Sequence, residues 1–286
     1  MAQDEENGYT AFSNPSDFFY HVLSYLETPP YLRRSLFPYH PNLRTAGAMP
    51  SLDMPHHLRA EEWCKYREGV TLEPQRSSSD HYGQKKGRKQ NDPVETEETY
   101  VNAGFATPIK LDTAIPPNTR VTLAFDDDDQ SENMTATAVS PDTPREDGGY
   151  YWGYAPRLAS SLSTVFTESP YEGGYDYSIG TSERGITLAD LLKPIRGTSE
   201  DAHDDATPTI PKWQHLLVVF GGVAGLEVAL QNDKQLQGKV SQASELFDAW
   251  LNLVQGQGSR TIRTEEAVWI GLMGLKELVD ANASAR

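Results

Sequence analysis

The chain has 286 residues, 37% of them hydrophobic, with 25 Lys and Arg against 41 Asp and Glu, a length for one large domain or two modest ones and enough apolar content for an ordinary core. The net charge of −16 argues against a uniformly phosphate-binding surface, yet residues 1–7, 92–98, 125–132 and 198–206 carry all of the excess, the pattern of solvated acidic loops. No uncharged apolar run nears the roughly 18 residues of a membrane span; Met1-Ala2-Gln3-Asp4-Glu5-Glu6 lacks the basic flank and apolar core of a secretory signal; and the single Cys64 excludes an internal disulfide or a multi-Cys zinc site, in keeping with a reducing intracellular compartment.

Residues 1–14 read as an acidic, polar tail. Phe18, Phe19, Val22, Leu23 and Leu26 then recur at helical spacing and predict an amphipathic helix over Pro15 to Glu27, ended by Pro29-Pro30. A helical turn around Leu32 to Phe37 and a proline-punctuated loop complete residues 15–57. From Leu58 to Gly149 short apolar runs at 101–105, 108–111 and 120–125 alternate with Pro, Gly and charge clusters, the texture of a small β domain. Inside it, residues 77–98 read as a disordered polar loop. Its run Lys85-Lys86-Gly87-Arg88-Lys89 is an RNA contact, a nuclear import signal or an ordinary basic loop.

After Asp147-Gly148-Gly149 the pattern turns to α/β. Pro156, with Leu158, Leu162, Val165 and Phe166 behind it on one face, predicts a helix. Three strands are expected at 175–179, 215–220 and 249–254. Each runs into a glycine-rich loop: Gly180-Thr181-Ser182-Glu183-Arg184-Gly185, Phe220-Gly221-Gly222, and Gly256-Gln257-Gly258-Ser259-Arg260-Thr261-Ile262-Arg263-Thr264. Residues 187–211 and 231–241 read as polar connections. Thr264 is placed to cap a last helix with Glu265 and Glu266 in its first turn, and with Val268, Trp269, Leu272, Met273, Leu275 and Leu278 available for burial.

Three glycine loops after three strands point to one composite pocket, because ligands of open α/β sheets sit outside the carboxyl ends of the strands, where glycine admits close backbone approach. No metal is expected: the seven histidines are scattered, and His56-His57 are adjacent instead of at ligand spacing. Neither a G-x-S-x-G elbow nor a G-x-x-x-x-G-K-[ST] loop is present, and Gly221-Gly222-Val223-Ala224-Gly225 does not match the dinucleotide fingerprint G-x-G-x-x-G. What remains is a cofactor held by backbone amides and small side chains, beside Glu183, Arg184, Arg260 and Arg263.

Tyr151-Trp152-Gly153-Tyr154, Arg157-Leu158-Ala159-Ser160, Ile179 to Gly185, Val218-Val219-Phe220-Gly221-Gly222 and Gly256 to Ala267, with Tyr25-Leu26-Glu27, Tyr31-Leu32-Arg33 and Pro55-His56-His57 upstream, closely resemble a eukaryotic and archaeal family of RNA methyltransferases of the SPOUT class. The resemblance implies an α/β core over 15–57 and 150–286 with a C-terminal trefoil knot, an inserted OB-like β-barrel over 58–149, a homodimer, and a nuclear or nucleolar site of action on RNA. It implies S-adenosylmethionine as cofactor, bound by Gly180, Thr181 and Ser182, by Phe220, Gly221 and Gly222, and by Gly256, Gly258, Ser259, Ile262 and Thr264. With a uridine imide nitrogen of large-subunit ribosomal RNA as acceptor, Glu183 is the candidate base, while Arg184, Arg260 or Arg263 stabilises the resulting anion or holds phosphate. The alternative is that these four only pair with one another and shape the loops. Arg157, Lys85, Lys86, Arg88 and Lys89 are the candidate RNA contacts. The family normally carries a further strand, loop and helix before the helix at 15–27, so part of the core sheet is expected to be missing here. That keeps a second function open, a catalytically inactive RNA-binding or spindle and kinetochore assembly protein with the same fold.

Overall fold

In a computed structural model the described residues are 8–73, 99–126, 134–196 and 210–284. They form two compact units, divided between Leu158 and Ala159.

The first unit opens with helix α1 (Pro15–Glu27), capped by the Asn14 side chain, which accepts the Asp17 N–H, with Pro15 in the first turn where its missing N–H costs nothing. Thr28 turns extended, and Pro30 starts helix α2 (Pro30–Leu36), which buries Leu32 completely. Strands β1 (Tyr66–Thr71), β2 (Thr99–Asn102), β3 (Ile109–Leu111), β4 (Arg120–Phe125) and β5 (Ala136–Val139) form an antiparallel sheet in the order β3-β2-β1-β4-β5. Its edges β3 and β5 approach each other, so the sheet is nearly closed and barrel-like. One face packs Val101, Ile109, Leu111, Leu123 and Phe125 into a core. A single-turn helix α3 (Thr143–Glu146) follows.

Strand β1 carries no apolar alternation, yet it is buried along its whole length. Its charges are satisfied instead of excluded, as buried ions must be. Arg67 donates to the carbonyls of Ala103, Glu62 and Arg59 at 2.7 to 3.0 Å. Glu68 accepts from Arg120, from the Thr122 hydroxyl and from the Trp152 indole, each at 2.7 Å. Arg120 also grips both oxygens of Glu27 at 2.6 and 3.0 Å, and His56 Nε2 stands 2.9 Å from the same carboxylate. Burial alone would raise the Glu27 pKa, but the hydrogen bonds from His56 and Arg120 overcome it and hold the group at about 2. The last residue of α1 is thereby tied to the middle of the sheet.

In the second unit the expected helix begins at Leu162: α4 (Leu162–Thr167) is set by a Ser161–Thr164 capping box. Pro156 and Leu158 precede it, and Leu158 is exposed, so the cap, and not the proline, fixes the helix start. Strand β6 (Tyr177–Thr187), helix α5 (Leu188–Arg196), strand β7 (Leu216–Val219), helix α6 (Glu227–Asn232), strand β8 (Ala249–Asn252) and helix α7 (Thr264–Ser284) follow. The sheet is parallel, in the order β7-β6-β8.

Three expectations are corrected here. The first glycine loop is strand: β6 continues through Gly180 to Gly185, with a register shift against β8 between Thr181 and Ile186. A Cβ at Gly180 would collide with the Trp250 ring, and one at Gly185 would lie 2.5 Å from the Trp250 carbonyl oxygen, so both glycines serve strand packing. The connection read as polar at 187–211 begins with α5, whose Leu191 and Leu192 join Tyr177, Ile179, Leu251, Leu275 and Leu278 in the core. Last, α7 buries Leu275 and Leu278 but leaves Trp269, Leu272 and Met273 exposed by 78%, 60% and 85%. The core needs only its narrow Gly271–Leu275–Leu278 stripe. Among the described residues no helix is long and apolar enough to cross a membrane.

Candidate functional site

A cleft of about 520 Å³ opens in the second unit beside the middle of β6 and the ends of β7 and β8. The register shift leaves Ser182 to Gly185 out of the β6–β8 ladder, which resumes at Ile186 and Thr187, and Thr181, Ser182, Glu183 and Arg184 line one wall. The turn after β7 supplies Gly221, Gly222, Val223, Ala224 and Gly225; the Gly225 N–H donates to the Gly222 carbonyl at 2.9 Å, with Gly225 at φ +76°, a conformation that favours glycine. The end of β8, the third loop and the start of α7 complete the site with Asn252, Val254, Arg260, Ile262, Thr264 and Ala267.

The side chains at the strand ends are tied to main chain. Thr181 Oγ1 donates to the Val219 carbonyl at 3.0 Å, linking β6 to β7. Asn252 Nδ2 donates to the Glu183 carbonyl at 2.9 Å, linking β8 to β6. Apolar lining comes from Leu253, Val254, Ile262 and Ala267, and the charges are Glu183, Arg184, Glu227 and Arg260.

Of the residues singled out from the sequence, Thr181, Ser182, Glu183, Arg184, Gly221, Gly222, Arg260, Ile262 and Thr264 meet in this cleft. Gly180 lies beneath it in the sheet, and Phe220 turns toward α7, where a Cβ at Gly271 would come within 2.8 Å of its ring. Gly256 takes φ +72° to turn the third loop, and Gly258 faces open space. The Ser259 hydroxyl donates to the Thr261 carbonyl at 2.9 Å, serving its own loop. Arg263 points outward, 80% exposed and 3.9 Å from Glu265. Thr264 is the first residue of α7 instead of its cap. Arg157 is exposed in the first unit, and Lys85, Lys86, Arg88 and Lys89 fall outside the described residues. Asn252, Ala267 and Glu227 were missed. A polar residue closing the apolar strand 249–251 was the available signal for Asn252, and a carboxylate two residues past Gly225 was the signal for Glu227.

The chain belongs to the family described as "Putative RNA methyltransferase", which it matches over residues 1–275. Among its relatives, the 28S rRNA (uridine-N(3))-methyltransferase of Homo sapiens is 39% identical over 265 residues, covering 92% of this chain and 61% of the relative. The protein of the same name from Drosophila melanogaster is 40% identical over 257 residues, covering 90% of this chain and 46% of the relative, and that of Mus musculus is 40% identical over 257 residues, covering 89% and 57%. The chain thus spans about half to three-fifths of the length of these curated relatives.

Proposed function

We propose that this chain is an S-adenosylmethionine-dependent RNA methyltransferase that methylates N3 of a uridine in large-subunit ribosomal RNA. The observation that carries the reading is the cleft, where Thr181 to Arg184, Gly221-Gly222, Arg260, Ile262 and Thr264 converge at the carboxyl side of a parallel sheet. The names of the relatives supply the substrate class.

The residues present fit the donor. About 520 Å³ is within the range of small-molecule sites. A Cβ added at Gly222 would meet nothing within 4 Å, so this backbone borders open cleft, and Leu253, Val254, Ile262 and Ala267 offer the apolar surface a purine needs. When bound, the donor supplies an electrophilic methyl group. The protein then has to align the acceptor and manage its proton, since orientation and fixed charge are the main resources of such a site. Glu183, exposed in the cleft, takes the imide N3 proton of the uridine. Arg184, on β6, and Arg260, on the third loop, stabilise the anion left on the ring or hold an adjacent phosphate. Arg263, turned outward, contributes as an RNA contact, and Arg157 and the basic run at 85–89 are further candidate RNA contacts.

The SPOUT knot, the OB-like character of the barrel and the homodimer belong to the same reading. The exposed Trp269, Leu272 and Met273 of α7 form an apolar stripe of the kind that marks an interface, and a second copy is its partner. Action on ribosomal RNA places the protein in the nucleus or nucleolus. The test is methyl incorporation from labelled donor into large-subunit rRNA, comparing the chain with a Gly222→Trp variant. Incorporation abolished by the variant is expected; equal incorporation by both would overturn the placement of the donor in this cleft.

A further inference from the structure

The cleft holds one charge that the mechanism leaves idle. Glu227, in the first turn of α6, follows the Gly222–Gly225 turn at the end of β7 and lines the cleft. Its carboxylate folds back over that turn: a Cβ at residue 225 would collide with Glu227 Oε2. Glycine at 225, already at positive φ, therefore leaves the space the carboxylate occupies.

Among the described residues its one charged partner is Arg184, at 3.9 Å from Oε1, with side chains 39% and 76% exposed. So open and long a pair contributes little to stability, which leaves fold maintenance a poor reason for a carboxylate here. We propose that Glu227 reads the ribose of the methyl donor, accepting hydrogen bonds from its vicinal 2′ and 3′ hydroxyls; the proposal rests on the donor-site reading above.

An ionised carboxylate is an acceptor with about four lone-pair sites, and at 3.9 Å Arg184 takes none of them as a hydrogen bond, with Oε2 lying over the glycine turn. A vicinal diol offers two O–H donors at a spacing that both carboxylate oxygens or one can accept. An acidic residue on the ribose is the solution reached in dinucleotide-binding sheets for the same chemical reason. The backbone beside Glu227 approaches closely at Gly221 and Gly222, and the apolar residues at the end of β8 provide the surface for the base, so a diol between base and reacting sulfur falls within reach of this side chain.

Calorimetric titrations of the full chain and of Glu227→Ala and Glu227→Gln variants with S-adenosylhomocysteine, 5′-methylthioadenosine and 2′-deoxy-S-adenosylhomocysteine test this. Glu227→Ala is expected to weaken the first two ligands by one common factor, about 10- to 100-fold from the loss of charge-assisted hydrogen bonds. It is expected to leave the 2′-deoxy ligand much less affected, with Glu227→Gln intermediate. Weakening of S-adenosylhomocysteine alone would overturn the proposal in favour of contact with the amino-acid portion. Unchanged affinity for all three would remove Glu227 from the donor site. Failure of the unaltered, folded chain to bind any of them would overturn the donor site itself, an outcome distinct from the other two.

Discussion

Asn252 joins two strands with one side chain: its Nδ2–H donates to the Glu183 carbonyl at 2.9 Å, and its Oδ1 accepts the Val254 N–H at 3.0 Å. The irregular stretch of β6 between Thr181 and Ile186 is thereby held to the end of β8 by a side chain as well as by the ladder that resumes at Ile186, and with it the main chain that carries Glu183. Asn252→Ala is expected to lower kcat for methyl transfer by at least about tenfold, because a small misplacement of a reacting group is costly. Donor affinity, measured by titration, should fall by a smaller factor. Asn252→Asp cannot donate to the carbonyl and is expected to behave like Ala.

Gly180 and Gly258 both stand out in the sequence as loop glycines, but they have opposite surroundings. Gly180→Ala drives a methyl group into Trp250 and Phe247 and is expected to destabilise the chain by about 1–3 kcal/mol, seen as a lower thermal midpoint. Gly258→Ala meets nothing within 4 Å and should leave both stability and donor binding near the unaltered values.

The network around Glu27 makes the stability of the first unit depend on pH. The Glu27 carboxyl falls from its ordinary 4.5 to about 2 in the folded chain, and its side chain is only 6% exposed. The folded state therefore prefers the ionised form. This contribution is fully present above the unfolded value of 4.5 and is lost as pH falls through the interval down to about 2; at 1.36 kcal/mol per pKa unit it amounts to about 3 kcal/mol. Denaturant unfolding at pH 7 and pH 3 should show about 2 kcal/mol of this loss, since pH 3 lies about 1.5 units below 4.5, and Glu27→Gln should shrink the difference between the two.

On α7, Trp269 and Met273 lie four residues apart and are 78% and 85% exposed, so they share one side of the helix. If the proposed homodimer forms through this stripe, the unaltered chain is expected to sediment as a dimer and a Trp269→Glu, Met273→Glu double variant as a monomer with an unchanged fold.

Much of this was legible because periodicity and glycine placement are local signals. The α1 pattern of Phe18, Val22 and Leu26, the apolar runs that became β2, β3 and β4, and the strands expected at 215–220 and 249–254, found at Leu216–Val219 and Ala249–Asn252, followed from spacing and apolar runs. Strand β1 did not, because Arg67 and Glu68 are buried through partners that lie 36 to 84 residues away in the chain for Ala103, Arg120, Thr122 and Trp152, and no local window shows such compensation. Helix α5 was obscured by Pro194 and by the charges of Asp190 and Lys193 flanking Leu191-Leu192. At the site, the sequence pointed to the loops but not to which residues face the cleft. Gly180 and Arg263 sit inside the same motifs as Thr181 and Ile262, and only the register shift in β6 and the start of α7 separate those that line the cleft from those that do not.

The most direct measurement is nucleoside analysis by mass spectrometry of large-subunit rRNA incubated with S-adenosylmethionine and either the unaltered chain or Glu183→Gln. The expected result is N3-methyluridine at a single site with the unaltered chain, reduced at least about a hundredfold with the variant. A folded chain that binds donor and rRNA yet leaves no methylated uridine, or a variant as active as its parent, would contradict the assignment of this cleft as the methyl-transfer site.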